Sequence, residues 1–337
     1  MLIDGGPAGT WNAVAGPYIR SVIGPGGTLD VVLVSHIDAD HIVGVLDLLA
    51  EIERDNADGA DALVVRDLWH NSFADTVDTP EGAVGRGLQA ILDVAGSQQM
   101  EMRGTADSFF GIAEGARLRR SAARIGVPVN AAFAGGVIRP DGSARFAVDL
   151  ADVRLTVVGP TAANLGQLRT AWLRWIADHG DRMADAAALA NADRSVPNLS
   201  SVVLLAEADG RRMLLTGDAR GDHILQGLEA AGLLVDGRIA LDLLKVQHHG
   251  SDRNADAGFF ERVTADVYVI SANGKHGNPD LQTLVWIVEA AKAAGRRVTI
   301  IVTHDAPSLA ALRGSHPAAD WGYILKTVDG PAHVVDL

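Results

Sequence analysis

The run Ser35-His36-Ile37-Asp38-Ala39-Asp40-His41 constrains this chain more than any other segment. It follows Leu29–Val34, an apolar run bounded by turn residues that predicts a buried strand, and precedes Ile42–Leu46, which begins an apolar helical pattern. Imidazoles and carboxylates crowded at a strand-to-helix turn suit a divalent cation, because the charge of the ion makes their crowding tolerable. The alternative interpretation is a solvated polar loop that happens to hold these residue types.

Two later segments are built in the same way. Arg212–Leu215 is a short strand-like run that ends in Thr216-Gly217-Asp218, and Leu243–Gln247 is another that ends in His248-His249-Gly250-Ser251. Chemistry in open α/β sheets gathers beyond the carboxyl ends of the strands. Alone, Asp218 would be interpreted as a turn residue and the histidine pair as a cap or a core contact. Together the strand ends predict a metal site.

With these residues the chain resembles hydrolases of the metallo-β-lactamase fold. Leu2-Ile3-Asp4-Gly5-Gly6-Pro7 resembles the first motif of that superfamily, and His36–His41 resembles the second. Thr216–Asp218 resembles the fourth motif and His248–Ser251 the fifth. The usual second motif is H-x-H-x-D-H, and Asp38 stands where its second histidine would be.

Further residues narrow the resemblance to one branch. The aspartate at position 38, the segment Asn198–Ser201 and the HHGS ending resemble the metallo-hydrolase domain of bacterial competence DNA-uptake proteins and its soluble relatives. The segment Asn273–Pro279 resembles the late G-H-P loop of that branch. Asn278 stands where a histidine is expected, and His276 lies two positions earlier.

The resemblance implies an α/β protein with the metallo-β-lactamase fold, a four-layer αββα sandwich that spans residues 1–337 as one domain. A largely helical insertion is expected at about 78–150, because long connections supply lids and substrate contacts. The first motif begins at residue 2, whereas this fold usually has a strand pair before it. The strand pair is therefore expected to be missing because the amino end is truncated. The alternative is that this edge of the sheet is built differently. A missing pair would leave a sheet edge that invites a homo-oligomer.

The resemblance also implies two divalent metal ions, Zn or Mn. The implied ligands are His36 and Asp38 for one ion, Asp40, His41 and His249 for the other, and Asp218 as the bridge. Asp40 and His248 are the expected catalytic residues, and Asp4 would orient the ligands by hydrogen bonding. The oxygen of Asp38 in place of an imidazole raises the tolerance of the site for Mn²⁺.

Other polar residues are candidates for contacts with the substrate: Asn198, Ser201, Lys245, Ser251 and His276. A cap or a loop contact explains each of them equally well. The third motif has no clear histidine, since His70 and His179 are the candidates between His41 and Asp218. His70 fits a packed core histidine better, and His179 fits an exposed helix end.

The charge of the chain limits its partners. A net charge of −13 disfavours long duplex nucleic acid, whose binding depends on phosphate neutralisation, and favours a small or short phosphodiester. The basic stripe Arg117–Arg124 is interpreted as a solvated helix face, with a phosphate-contacting patch as the alternative. The absence of cysteine excludes thiolate zinc sites and Fe–S clusters. With no signal segment and no apolar run of membrane-spanning length, a cytoplasmic protein without membrane contact is expected.

The expected function is therefore a metal-dependent hydrolase that uses a metal-bound hydroxide on a phosphodiester, as a nuclease or a small phosphodiesterase. One alternative is the hydrolysis of a lactone, thioester or β-lactam on the same fold, since a fold does not settle its substrate. A second is an inactive, metal-stabilised binding module. At the carboxyl end, Lys326–Asp336 with the turn Asp329-Gly330 predicts a closing hairpin.

Overall fold

The computed structural model describes residues 1–72, 107–140, 147–179, 200–274 and 277–337. These residues form two compact units. Unit 1 comprises Met1–Ile138 and Ala162–Ser200, and unit 2 comprises Arg139–Thr161 and Ser201–Leu337. The prediction of a single domain stays a prediction, and about half of its insertion, residues 78–106 and 141–146, lies outside the described residues.

Unit 1 contains a small parallel sheet with the strand order β1-β2-β3. Its strands are β1 Leu2–Ile3, β2 Thr28–Val34 and β3 Val64–His70. Its α-helices are α1 Gly16–Ile23, α2 Ala39–Asp58, α3 Asp107–Arg124 and α4 Ala162–His179, with a π-helical turn at Trp11–Ala15 before α1. The predicted strand at Leu29–Val34 and the helix after it are confirmed.

The core of unit 1 forms because α2 is apolar along one face. Ile42, Val45, Leu49 and Ile52 recur at helical spacing and are buried in one cluster with strand residues of the small sheet. A polar contact lies inside this core, where the indole Nε1 of Trp11 donates to Glu51 at 2.9 Å. Arg20 forms an ion pair with Glu51, so the buried carboxylate has a compensating charge.

A pair of glycines brings the first motif against helix α2. A Cβ atom on Gly5 would overlap the backbone of Gly44, and a Cβ atom on Gly44 would overlap the backbone of Gly5. Two backbone hydrogen bonds accompany this approach, Gly5 N to His41 O at 2.8 Å and Gly44 N to Gly6 O at 3.0 Å. Asp4 is therefore fixed beside the first turn of α2, because larger residues would separate the two segments.

Unit 2 is built on a large mixed sheet with the strand order β11-β10-β9-β8-β7-β6-β5-β4. Its strands are β4 Ala147–Leu150, β5 Val153–Gly159, β6 Val203–Ala208, β7 Arg211–Leu215, β8 Ile239–Lys245, β9 Val263–Ile270, β10 Val298–Val302 and β11 Tyr323–Thr327. Neighbours from β4 to β7 are antiparallel, and neighbours from β7 to β11 are parallel. The carboxyl ends of β7 to β11 consequently share one edge.

The helices of unit 2 connect its parallel strands, as parallel pairing requires. They are α5 Gly221–Ala230, α6 Ala257–Arg262, α7 Leu281–Ala293, α8 Pro307–Ser315 and α9 Ala318–Trp321. The core combines apolar strand residues with a small aromatic group in which Phe259, Phe260 and Tyr268 are buried and their rings contact in series.

The predicted hairpin at Lys326–Asp336 is wrong. Strand β11 ends at Thr327 and pairs in parallel with β10, and residues 328–337 contain no strand. Helices α8 and α9 provide the crossover that a parallel partner needs, so the turn signal at Asp329-Gly330 follows the last strand instead of joining two strands.

The fold class is α/β, with a large mixed sheet and a small parallel sheet. The predicted strands at Arg212–Leu215 and Leu243–Gln247 are observed, although β8 ends two residues earlier than predicted, at Lys245. Within the described part of the chain, no helix has both the length and the apolar character needed to cross a membrane.

Candidate metal-binding clusters

The first cluster lies in unit 1 at the carboxyl edge of the small sheet. We call it the unit 1 cluster; its members are Asp4, Ser35, His36, Asp38, Asp40 and His41. Strand β2 ends at Val34, which pairs in register with His70, and α2 begins at Ala39. Asp38 occupies the N-cap position of α2 but makes no capping bond, and its Oδ1 is buried without a hydrogen-bond partner in the described part of the chain. A residue type that normally caps a helix is thus left available to a cation.

Asp4 organises the unit 1 cluster through three short hydrogen bonds. Its Oδ1 accepts from the backbone N–H of Ser35 at 2.7 Å, and its Oδ2 accepts from the Ser35 hydroxyl at 2.8 Å. The Nδ1 of His41 lies 2.7 Å from the same Oδ2. An ionised carboxylate can only accept, so the proton of His41 is on Nδ1 and the lone pair is on Nε2.

The same reasoning fixes the proton of His36. The Ser35 hydroxyl has one hydrogen, which it donates to Asp4, so its oxygen is left to accept from the Nδ1 of His36 at 3.1 Å. In neutral His36 the lone pair is then on Nε2. Both histidines of the unit 1 cluster therefore have the arrangement of a metal ligand, with Nδ1 held by an outer hydrogen bond.

Distances in the unit 1 cluster match those between ligands of a shared ion. The Nε2 of His36 lies 3.5 Å from Asp38 Oδ2, and the Nε2 of His41 lies 3.8 Å from Asp40 Oδ2. Charge-assisted hydrogen bonds are shorter, about 2.7–2.9 Å. Two atoms that are each about 2.1 Å from one tetrahedral ion lie about 3.4 Å apart. The two imidazole rings are also close, with centroids 4.0 Å apart.

The electrostatics of the cluster keep Asp4 ionised. Burial raises the pKa of its carboxyl group, but the interaction with the His41 imidazole and the hydrogen bonds from His41 and Ser35 outweigh burial, so the pKa lies below its usual value. The backbone of Asp4 is left-handed, with φ of 56°, a conformation that aspartate tolerates better than most residues.

The second cluster lies in unit 2 at the shared carboxyl edge of the large sheet. We call it the unit 2 cluster; its members are Asp218, His248, His249, Asn254 and the carbonyl group of Ser271. It follows β7, β8 and β9, which are parallel neighbours. The loop after β7 is tied to β8, because the hydroxyl of Thr216 donates to the carbonyl of Lys245 at 2.6 Å.

Both histidines of the unit 2 cluster have a left-handed backbone. His248 has φ of 46° and His249 has φ of 55°, where a residue with a side chain is less stable by about 1–2 kcal/mol. Gly250 continues the left-handed run with φ of 78°. Strain of this kind persists where the surrounding structure fixes it, and it concentrates at functional sites.

The carboxylate of Asp218 lies between the two imidazoles of the unit 2 cluster. The Nδ1 of His249 donates to the carbonyl of Ser271 at 2.6 Å, and the Nδ1 of His248 lies 2.6 Å from Asn254 Oδ1. Their Nε2 atoms lie 3.5 Å and 3.9 Å from Asp218 Oδ2, respectively. Asp218 is 3% exposed. The Nε2 atoms of both imidazoles and the buried carboxylate are hydrogen-bond acceptors when the histidines are neutral. At these separations such a group favours the binding of a cation between them.

The structure gives local contacts to several predicted substrate residues. The Nζ of Lys245 donates to the carbonyl of Val246 at 3.0 Å, and Ser251 is buried with its hydroxyl accepting from Arg253 N at 3.4 Å. These are the loop contacts that the alternative interpretation expects. Ser201 is buried, and its hydroxyl has no hydrogen-bond partner within the residues that the structure describes. Asn198 and His276 lie outside the described residues.

His70 is fully buried at the end of β3, and neither of its ring nitrogens has a hydrogen-bond partner among the described residues. Asn130 holds its backbone, accepting from His70 N at 2.8 Å and donating to His70 O at 2.9 Å. Burial, with a smaller effect from Arg119, lowers the pKa of His70 to about 3. The interpretation as a packed histidine fits this burial, and ligation by His70 stays a prediction. His179 is the last residue of α4.

Sequence reasoning missed Ser35 and Asn254, which organise the clusters, and the buried Gln247. Ser35 was counted as part of the motif without a role, yet its hydroxyl connects Asp4 to His36. Asn254 follows the fifth motif with no signal of its own. Gln247 is 1% exposed, and neither polar atom of its side chain bonds to another described residue. The position of Ser35 directly before His36 is the signal that the sequence offered.

Comparison with known proteins gives partial matches. No family model matches the chain. It is 31% identical over 121 residues to microtubule-associated protein 1A of Rattus norvegicus, which is 33% of this chain and 4% of that protein. The protein of the same name from Homo sapiens is 30% identical over 115 residues, 32% of this chain and 4% of that protein. The chain therefore spans about 4% of the length of these curated relatives.

Proposed function

We propose that this protein is a metal-dependent hydrolase of the metallo-β-lactamase fold that acts on a phosphodiester. The observation that most supports the proposal is the shared arrangement of His36, His41, His248 and His249. In each the Nδ1 has an oxygen partner, and the Nε2 lies 3.5–3.9 Å from a carboxylate oxygen of the same cluster. Histidine ligands of metal ions are oriented by such outer hydrogen bonds.

The donor set fits two divalent ions, Zn or Mn. It consists of imidazole nitrogens and carboxylate oxygens in a chain without cysteine, and one carboxylate oxygen of Asp38 is buried with no hydrogen-bond partner. The resemblance assigns His36 and Asp38 to one ion, and the residues Asp40, His41 and His249 to the other, with Asp218 shared. Such ions, when bound, would activate a water molecule and stabilise charge on the oxygen that gains it.

The residues of the chain have separate roles in this proposal. Asp4 and Ser35 orient the imidazoles of the unit 1 cluster. Asp40, whose side chain is 45% exposed, lies in the first turn of α2, where the helix dipole stabilises its negative charge. His248 presents an unprotonated Nε2 that accepts a proton during the reaction.

The charge of the protein supports a small substrate. A net charge of −13 leaves little attraction for a long polyanion, so we propose a small or short phosphodiester in place of long duplex nucleic acid. The hard oxygen of Asp38 supports activity with Mn²⁺ at least equal to that with Zn²⁺. The four-layer αββα arrangement and the cytoplasmic location belong to the same proposal.

Elemental analysis and a substrate panel test the proposal. The purified protein is stripped with a chelator, reloaded with Zn²⁺, Mn²⁺ or Mg²⁺, and assayed on bis(p-nitrophenyl) phosphate, a lactone and nitrocefin. We expect bound metal, hydrolysis of the diester and almost no turnover of nitrocefin. Nitrocefin turnover without diesterase activity would favour the carbonyl hydrolase, and bound metal without any turnover would favour the binding module.

A further inference from the structure

Asn254 lies where one side chain contacts both the loop after β7 and the first histidine of the fifth motif. It is 8% exposed. Its Nδ2 donates to the backbone carbonyl of Asp218 at 3.0 Å, and its Oδ1 lies 2.6 Å from the Nδ1 of His248. Its own backbone carbonyl accepts from the N–H of Gly221 at 2.7 Å, which fixes the residue from a third side.

These two contacts determine where the proton of His248 is. A backbone carbonyl can only accept, so the group of Asn254 that faces Asp218 must be the NH₂ group. The remaining atom, Oδ1, can only accept, and the Nδ1 of His248 must therefore carry the hydrogen. The opposite amide orientation would place Oδ1 of Asn254 against the carbonyl oxygen of Asp218 and lose that hydrogen bond.

We propose that Asn254 is a positioning residue that holds neutral His248 as the Nδ1–H tautomer, which places the lone pair of the ring on Nε2. The same amide connects the ring to the loop of Asp218, whose Oδ2 lies 3.9 Å from that Nε2. Without the amide, the ring of His248 can rotate and exchange its tautomer. The catalytic consequence rests on the proposed function, whereas the tautomer itself does not.

The ¹⁵N shifts of the histidine ring nitrogens test the tautomer directly in the full chain after chelation. In the wild type we expect a protonated Nδ1 and an unprotonated Nε2 for His248. Asn254→Leu should give mixed tautomers, whereas Asn254→Asp retains an acceptor and should restore the Nδ1–H form. An Nε2–H tautomer in the wild type, or an unchanged spectrum in Asn254→Leu, would overturn the proposal.

Kinetics on bis(p-nitrophenyl) phosphate test the consequence. Asn254→Leu should lower kcat by about 10–100-fold, with KM and metal content unchanged, and Asn254→Asp should recover part of the loss. Asp256→Ala is the matched control, because it removes the helix cap that Asp256 provides to Phe259 N without contact with His248. If this control lowers kcat equally, Asn254 acts through stability alone and the proposal is wrong. If the wild type hydrolyses no diester, the proposed function fails while the ring shifts still decide the tautomer.

Discussion

The unit 1 cluster and the unit 2 cluster orient their histidines by different chemistry. In unit 1 both Nδ1 atoms depend on side chains that lead to one carboxylate, that of Asp4. In unit 2 the partners are neutral, the amide oxygen of Asn254 and the backbone carbonyl of Ser271. Unit 1 therefore relies on a partly buried charge, whereas unit 2 relies on the position of its loops.

The backbone conformation of the histidine residues also differs between the two clusters. His41 belongs to a regular helix, and Asp38 precedes that helix in an extended conformation. His248 and His249 are both left-handed. A side-chain substitution should therefore disturb the unit 1 cluster most strongly, while the unit 2 cluster should depend more on the residues that hold its backbone.

The largest effect is expected in the unit 1 cluster. Asp40→Ala or His41→Ala should reduce hydrolysis of bis(p-nitrophenyl) phosphate by roughly 10²–10⁴-fold, because each removes a proposed ligand of the second ion. The fold should survive, since the apolar core of unit 1 does not depend on either side chain. Elemental analysis and circular dichroism measure the two results, with Asp58→Asn at the end of α2 as the control. Full metal content and normal turnover in Asp40→Ala would refute the motif assignment.

The adjacent histidines of unit 2 should separate ligand from proton acceptor. His249→Ala should lose metal, whereas His248→Ala should keep most of it and lower the rate by about 10–100-fold. Metal content and kcat, measured on the same preparations, distinguish the two roles. The reverse pattern would exchange them and make His248 the ligand.

Asp4→Asn tests the difference in charge between the clusters. Three donors converge on the carboxylate of Asp4, and an amide offers one oxygen to accept them. We expect metal affinity to fall by about tenfold, at the lower end of such outer substitutions. Competition with a zinc chelator measures it. An unchanged affinity would mean that unit 1 is held by its backbone, as unit 2 is.

The smallest effect is expected for His70. This histidine belongs to unit 1, but no hydrogen bond from a described residue orients its Nδ1. Its pKa is lowered from 6.5 to about 3 in the folded protein, so the unfolded chain takes up the proton first as the pH falls. The free energy of unfolding is therefore lost progressively between pH 6.5 and about 3, by about 2 kcal/mol at pH 5 relative to pH 7. His70→Leu should remove this part of the pH dependence in urea unfolding.

His333→Leu is the control for this experiment, because it removes an exposed imidazole in place of a buried one. If both variants behave alike, the buried imidazole is not the source of the slope. Loss of bound metal in His70→Leu would instead identify His70 as the ligand of the third motif.

Sequence predicted the strand ends well because apolar strands and their polar ends are local patterns. Strand β2, the helix after it and the positions of Asp218 and the histidine pair all follow from such runs. The outer hydrogen bonds could not be predicted in the same way. Asn254 reaches a carbonyl group 36 residues earlier in the chain, and no periodic pattern records that distance.

The failed hairpin at the carboxyl end has a related cause. A turn signal predicts a change of direction, but it does not identify the strand that will pair next. Strand β11 pairs in parallel with β10 through two helices that begin at Pro307 and Ala318, so the pairing partner lies upstream of the turn. Local residues determine where strand β11 ends, and tertiary packing determines which strand it pairs with and in which direction.

The contact between Gly5 and Gly44 has a consequence for motion. Because the two backbones touch without intervening side chains, the loop of Asp4 and the first turns of α2 should move as one body. The amide protons of Gly5 and Gly44, which bond to His41 O and Gly6 O, should exchange with deuterium together and slowly, since neither bond can open without separating both segments. An alanine at either position should make this shared protection collapse across the whole loop.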